Sequence, residues 1–346
     1  MRILIFLLIL SLLVIPVSAV EYTAPEVPDS GSDIMPSEPE SFGEGLLEIL
    51  KNAISALSPD LAEAAMVCLR AFAAVMLMSI LRTFDGASKR AVELAGTVAI
   101  GGILLSSTNS LLNLAAETVT EISDYGKLLL PVMTGALAAQ GGFTASAALY
   151  TGTAFFNAVL STAISSVLIP LVYVFLALSV ANNALGEDLL KKLQEFVKWL
   201  ITWCLKTILY VFTGYMGITG AITGGTDAAT LKATKLTISG MVPVVGGILA
   251  DASESVLVGA GLMKNAAGVY GLLAVLAVCV GPFLRIGIQY LLLKLTAAIC
   301  SVFDVKNSAK LVQDFSGTMG LLLGMTGSVC LLMLISIICF LKGVGS

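Results

Sequence analysis

Two acidic residues with a spacing that could do chemistry stand inside an apolar stretch. Asp251 and Glu254 lie three residues apart within residues 237–271, and Lys264 follows in the same stretch. On a helix, this spacing places the two carboxylates on one face. Ionisable side chains in such a stretch are costly unless they face water, an opposite charge or another subunit. The pair is therefore a candidate conduit or subunit contact, and structural pairing inside the protein is the alternative.

The same stretch is interrupted by helix-breaking residues. Pro243, Gly246 and Gly247 precede the two acids. Broken backbone at membrane depth is tolerated only where it is buried in protein or lines a wet cavity. The pattern predicts a broken or re-entrant helix over residues 241–263.

Further charged residues fall inside other apolar stretches. They are Glu63, Arg70, Glu93, Lys206, Arg285 and Lys294. Glu63 and Arg70 share a helix face but lie about 10 Å apart along the axis, so a direct bond is excluded. We expect Arg70 to pair with Glu93 instead. These charges could also serve an ion-coupled transporter.

Several chemistries lack their usual residues. The chain has no histidine, the commonest general base and metal ligand, and no phosphate-binding Walker A sequence. Its six cysteines lie in apolar stretches without C-x-x-C spacing, which favours packing over metal binding or redox use. No basic cluster suggests nucleic acid as a partner. We expect no enzymatic activity, cofactor or metal.

Composition indicates that most of the chain lies in a lipid bilayer. Of the 346 residues, 57% are hydrophobic and 12% are charged, whereas soluble domains carry about 25% charged residues. The sequence therefore predicts an all-α fold, a polytopic transmembrane helix bundle with interrupted or re-entrant helices.

The N-terminal region differs from the rest. Residues 1–19 have a positive start, an apolar core and small residues before a cleavage site after Ala19, as in a signal peptide; an uncleaved signal anchor is the alternative. Either places the following residues outside the cytoplasm. Residues 20–42 are acidic and proline-rich, which predicts a disordered linker. Residues 43–58 predict an amphipathic helix on the membrane surface, on a partner or on the protein's own spans.

Residues 59–346 form the predicted transmembrane domain. An acidic outer loop is expected around Glu117, Glu121 and Asp124, and a turn at Arg285. The final span would leave Lys342 in the cytoplasm. The predicted spans are 61–81, 91–114, 128–185 as two or three passes, 199–217, 241–263 as the broken segment, 266–282, 283–303 and 316–341.

The last span is rich in glycine. Gly320 and Gly324 form a G-x-x-x-G pair, which lets two helices approach closely in lipid. The partner helix would belong to this chain or to another subunit, or the pair has no special role.

Residues 243–273, PVVGGILADASESVLVGAGLMKNAAGVYGLL, carry a resemblance to a known family. Together with residues 127–142, KLLLPVMTGALAAQGG, the leader and the apolar C-terminal third, they resemble the stage III sporulation protein AE family of endospore-forming bacteria. The family block maps onto Pro243, Gly246, Gly247, Asp251, Glu254, Lys264, Asn265 and Gly268 here. The resemblance implies no enzymatic residues.

The resemblance implies a multi-pass subunit of the channel complex that joins mother cell and forespore, needed for forespore development and located in the outer forespore membrane. It implies as partners the other stage III A membrane proteins, a cytoplasmic secretion-type ATPase and ring-forming proteins of the intermembrane space. Two other functions stay open. One is a free-standing secondary transporter, since residues 127–142 and the Pro243 block are two interrupted segments as in transporter repeats. The other is a purely structural membrane scaffold.

Overall fold

A computed structural model of the chain describes residues 25–36, 41–82, 89–139, 143–185, 190–222, 266–303 and 305–343. Within these ranges the chain is helical and contains no strand. The predicted signal peptide, residues 1–19, and the predicted broken segment, residues 241–263, lie outside the described residues.

Most of the described helices follow one another with short connections, whereas residues 223–265 separate α7 from α8. A π-helical turn, Ile164–Leu168, joins α5 to α6 without a break. The helices are α1 (Asp29–Ser32), α2 (Phe42–Ala56), α3 (Ser58–Leu81), α4 (Lys89–Ala139), α5 (Phe143–Ala163), α6 (Ile169–Leu185), α7 (Lys191–Ile222), α8 (Ala266–Cys300) and α9 (Lys306–Gly343).

Six helical segments among the described residues are long and apolar enough to cross a membrane. A bilayer core needs about 20 apolar residues. The predicted all-α fold with several membrane-length helices is therefore confirmed. The segments are Ser58–Leu81, Ala91–Ala138, Ala145–Leu185, Lys191–Thr219, Gly268–Cys300 and Lys306–Lys342.

The long helix α4 and the continuous segment α5–α6 form an antiparallel hairpin. Near one end of the hairpin, a Cβ on Gly101 would lie 3.1 Å from the Val180 side chain. Further along, the Asn157 amide donates to the Ser123 carbonyl at 3.2 Å. Helix α7 then returns along α5–α6, with the Tyr215 hydroxyl donating to the Ala148 carbonyl at 2.8 Å.

Helix α9 occupies the centre of the bundle. It contacts α3, α4, α5, α6, α7 and α8, and it is the most deeply buried of the six membrane-length segments. It runs antiparallel to α8, with the Ser316 hydroxyl donating to the Tyr290 carbonyl at 3.1 Å. The fold is thus a ring of helices around a central α9.

Helix α4 corrects the prediction of an outer loop after residue 114. Its 51 residues run unbroken past the acids and past Pro131. The three acids, Glu117, Glu121 and Asp124, recur every three to four residues and therefore share one face of the helix, away from the core. The charges mark a helix face, and the predicted span 91–114 continues into residues 128–139.

Helix α8 corrects the predicted hairpin of spans 266–282 and 283–303. It is one helix of 35 residues with Pro282 inside it. No turn is needed at Arg285, because this side chain is neutralised within the bundle, as described below. A single helix also reverses the side of everything after it, so the connection at residues 303–306 lies at the same end of the bundle as Arg82 and Lys191.

Part of the predicted disordered linker is packed on the bundle. Within residues 25–36, α1 lies on α8, with Gly31 buried against Val278 and Ile34 buried nearby. The Asn52 amide of α2 donates to the Ile34 carbonyl at 3.4 Å. The acidic composition indicated disorder, but a few apolar residues suffice here because α8 already provides a surface to cover.

Helix α2 also packs on the protein's own helix α8. Its first turn is capped by Ser41, whose hydroxyl accepts from the Glu44 amide at 3.3 Å. It buries Phe42, Ile49 and Ala53 as part of the common core, and Ile49 is buried completely. Of the three locations open from the sequence, the structure places the amphipathic helix against the protein's own spans.

Candidate functional site

The sequence-predicted conduit residues lie outside the described residues. These are Pro243, Gly246, Gly247, Asp251, Glu254 and Lys264. The end of the same block is described, because α8 begins at Ala266. A Cβ on Gly268 would overlap the Leu341 side chain of α9, and one on Gly271 would lie 3.0 Å from Leu129 of α4. The block is therefore anchored directly between the central helix and α4.

An ion-pair group ties the start of α3 to the middle of α8. The Nε atom of Arg285 lies 3.1 Å from Oδ1 of Asp60, and its guanidinium lies 3.7 Å from Oε2 of Glu63. Asp60 opens α3 just after Pro59, so its carboxylate also stabilises the positive end of the helix dipole. Arg285 and Glu63 were sequence candidates, and the structure brings them together through Asp60.

The predicted pair of Arg70 and Glu93 is not what the structure shows. Arg70 is exposed on α3, and Glu93 accepts a hydrogen bond of 3.2 Å from the Asn307 amide. Lys294 contacts Tyr290, with Nζ 3.1 Å from the hydroxyl. Lys206 is half-buried on α7.

A second polar group lies where α6, α7 and α9 meet. The Asn183 amide donates to Oδ2 of Asp314 at 2.9 Å, and the Gln194 side chain also donates to this carboxylate. Gln194 further donates to the Ser179 hydroxyl at 2.7 Å. Asn183, Gln194 and Ser179 are all buried. Amide donors satisfy the carboxylate lone pairs and so reduce the cost of burying them.

Asp60 and Asp314 are candidate-site residues that sequence reasoning missed. Asp314 falls between the predicted spans 283–303 and 316–341, whereas α9 already starts at Lys306. The sequence does contain a signal for the polar group around Asp314. Asn183 and Gln194 are amides within or beside apolar runs, and buried amides need a partner. Nothing local in the sequence indicated that Asp60 reaches α8.

Polar atoms without a hydrogen bond lie deep in the bundle at the level of Ser123. Among the described residues, the Tyr125 and Thr153 hydroxyls and the Asn157 Oδ1 atom are buried without a hydrogen-bonding partner. Thr153 and Asn157 are one turn apart on α5, so they face the same side of that helix. Each such group costs about 1–3 kcal/mol when neither water nor another polar group meets it.

The predicted glycine pair lies on the central helix. A Cβ on Gly324 would lie 3.8 Å from Leu205 of α7, which is an ordinary contact, and Gly320 is buried. The neighbour of Gly324 belongs to this chain. The tightest helix approaches lie elsewhere, for example at Gly152, where a Cβ would overlap the Tyr215 ring.

Basic residues gather at one end of the bundle. Arg82 ends α3, Lys191 and Lys192 open α7, and Lys306 and Lys310 open α9. The contact of Asn183 with Asp314, and the 5.9 Å separation of the Phe72 and Phe303 rings, hold these helix ends together. Lys342 is the one base among the described helix ends at the opposite side.

These features define a class of protein: a multi-pass α-helical membrane protein with charged and amide groups inside its bundle. A family model described as stage III sporulation protein AE matches residues 32–343, and the chain belongs to this family.

A curated relative is similar to the chain over part of its length. The stage III sporulation protein AE of Bacillus subtilis (strain 168) is 24% identical over 197 residues, which cover 57% of this chain and 49% of that protein. The chain thus spans about half the length of the curated relative that it matches. No solved structure matches the chain.

Proposed function

We propose that this chain is an integral membrane subunit of the sporulation channel complex that links the mother cell to the forespore and is needed for forespore development. The observation that carries the proposal is the family match over residues 32–343. The role is non-enzymatic: the chain contributes a membrane framework and part of a passage.

The arrangement of the helices limits where a passage would run. Because α9 fills the centre of the described bundle, we place the passage at the Pro243 block or between subunits. Asp251 and Glu254 are the acids that would line it. The last residues of the block, from Ala266 onward, form the well-packed start of α8, so the close contacts at Gly268 and Gly271 would resist movement there.

The basic end of the bundle supports an orientation. Cytoplasmic ends of membrane helices carry an excess of lysine and arginine. We therefore place Arg82, Lys192 and Lys306 in the mother-cell cytoplasm and the N-terminus outside it, with the chain in the outer forespore membrane. In this orientation a cytoplasmic secretion-type ATPase would meet the basic end. Other stage III A membrane proteins would contact the helices laterally, and ring-forming proteins would lie on the opposite, intermembrane side.

Affinity capture from sporulating cells tests the proposal. The tagged full chain should recover other stage III A membrane proteins, and the double variant Asp251→Asn with Glu254→Gln should abolish spore formation while the protein stays in the membrane. The matched control is Glu117→Gln with Asp124→Asn, which neutralises two exposed acids of α4 and should leave sporulation intact. Full sporulation in the first variant, or capture without any stage III A protein, would refute the proposal.

A free-standing ion-coupled transporter is the second candidate. It is favoured by Asp314, a carboxylate held by two amides inside a membrane-length helix. Ion-driven uptake by the purified chain in vesicles would establish it, and Asp314→Asn should then abolish uptake. Vesicles that show no uptake with any imposed ion gradient would leave the channel subunit as the function.

A further inference from the structure

Helix α7 presents a ladder of aromatic rings on its outer face. Phe196, Trp199 and Trp203 recur every three to four residues, and their rings stack in order, with centroids 5.8 Å and 6.0 Å apart. Each of the three residues is about half exposed, between 51% and 55%. The ladder therefore needs a neighbour outside the described helices, because three large rings left in water would be costly.

The inner face of the same helix is fully used by the protein. Gln194, Val197, Ile201 and Leu205 are buried against the bundle. They alternate with the aromatic ladder at helical spacing. The outward direction of the ladder is thus set by core packing and cannot be reversed by rotating α7.

Charge surrounds the N-terminal end of the ladder. Lys192 lies four residues before Phe196 and is exposed. Lys306 and Lys310 at the start of α9 belong to the same end of the bundle. Tryptophan favours the boundary between headgroups and acyl chains, and nearby lysines favour anionic headgroups.

We propose that the face formed by Phe196, Trp199 and Trp203 lies at the headgroup–acyl boundary of the bilayer leaflet at the basic end, with Lys192 at the start of α7 binding anionic phospholipid headgroups. Trp199 lies about 10 Å along the helix from Lys192, and Trp203 about 6 Å further. A headgroup layer is about 5–8 Å thick on each side of the hydrocarbon core. Lys192 then reaches the headgroups, while Trp199 lies at the boundary.

Charge favours lipid over a second copy of the chain as the occupant. Copies inserted in one membrane share one orientation, so a copy docked on this ladder would bring its own basic end alongside these lysines. Like charges repel at such an interface, whereas anionic headgroups neutralise the lysines.

The two tryptophans of the chain both belong to the ladder, so the fluorescence of the unmodified protein reports on it directly. The full chain is reconstituted into mixed vesicles of phosphatidylcholine and phosphatidylglycerol in which only one of the two lipids carries bromine, either near the headgroup end or near the tail end of its acyl chain. We expect shallow bromines to quench more than deep ones, and brominated phosphatidylglycerol to quench more than brominated phosphatidylcholine at equal depth.

Two sets of variants sharpen the measurement. The first is a triple variant, Trp199→Phe with Trp203→Phe and Tyr210→Trp, whose single tryptophan lies about 16 Å along the helix from position 199. Deep bromines should quench this tryptophan more than shallow ones. Lys192→Gln should lower the preference for the anionic lipid by about fivefold, while Lys127→Gln should not change it.

Three outcomes overturn the proposal: no quenching at either depth, which would indicate a protein neighbour; equal or stronger quenching by deep bromines in the unmodified chain; and equal quenching by both headgroups. The first test requires no substitution, so misfolding of a variant cannot obscure it.

Discussion

Arg285 in the middle of α8 lies with its Nε atom 3.1 Å from Oδ1 of Asp60 at the start of α3. This contact joins two helices more than 200 residues apart in sequence, and it allows a positive charge to remain inside a continuous 35-residue helix. The N-terminal segment α1–α2 packs on the same helix. Arg285 therefore helps to fix α3 on α8, the helix on which α1 and α2 also pack.

A double-mutant cycle on Arg285 and Asp60 measures this contact. We expect Arg285→Met and Asp60→Asn to show a coupling free energy of about 1 kcal/mol in detergent unfolding, because the partners are only partly exposed. The control cycle uses Lys127 and Asp124, an exposed pair one turn apart on α4, and should give nearly zero. Equal coupling in both cycles would contradict a special role for Arg285.

The polar group around Asp314 predicts a stronger effect. Asn183→Leu removes a donor from a largely buried carboxylate and should lower stability by about 1–3 kcal/mol. Adding Gln194→Leu and Asp314→Leu should recover part of the loss, since no buried polar atom of the group then lacks a partner. The matched control is Asn109→Leu, which removes an exposed hydrogen bond to Tyr173 and should cost less than about 0.5 kcal/mol.

Gly152 and Gly102 predict opposite outcomes for the same substitution. Gly152→Ala places a methyl group into the Tyr215 ring, and we expect a loss of about 1–3 kcal/mol. Gly102→Ala meets no atom within 4 Å on the outer face of α4, and we expect a gain of up to about 1 kcal/mol from helix propensity. Thermal unfolding of both variants measures whether stability falls at Gly152 and rises at Gly102. A gain at Gly152 would mean that α5 and α7 do not approach as closely as described.

The continuous α8 predicts a particular sidedness. In a cysteine-free background, cysteines at positions 82, 192 and 306 should all react with an impermeant thiol reagent from the same side of the membrane. The hairpin expected from the sequence would instead place position 306 on the opposite side from position 82. Labelling of intact spheroplasts against inverted vesicles distinguishes the two arrangements.

Composition and hydropathy are sufficient to predict the all-α class of fold, because long apolar segments in a bilayer must pair their backbone polar groups internally and do so as helices. The positions of helix ends were harder to predict. Glu117, Glu121 and Asp124 were interpreted as a loop because charge usually ends a span, yet their spacing satisfies one face of a long helix. Arg285 was assigned to a turn for the same reason, and only its distant partner Asp60 explains its position.

Some residues of the candidate site could be predicted from the sequence, and others could not. Glu63 and Arg285 were predictable as ionisable residues in apolar surroundings, but their meeting depends on how α3 packs on α8. Asp314 could not be predicted as a site residue because its amide partners come from α6 and α7. The local sequence does not show which three helices meet. The role of Asp251 and Glu254 stays a prediction.

The central position of α9 also imposes an order of events during synthesis. Among the described residues, five membrane-length segments are made before it, and every one of them contacts it. Until Lys306–Gly343 has left the ribosome, those five segments surround a groove that only lipid or a holding protein can fill. Closure of this protein is thus a late event, and a nascent chain halted before residue 306 should remain a substrate for membrane-embedded quality control.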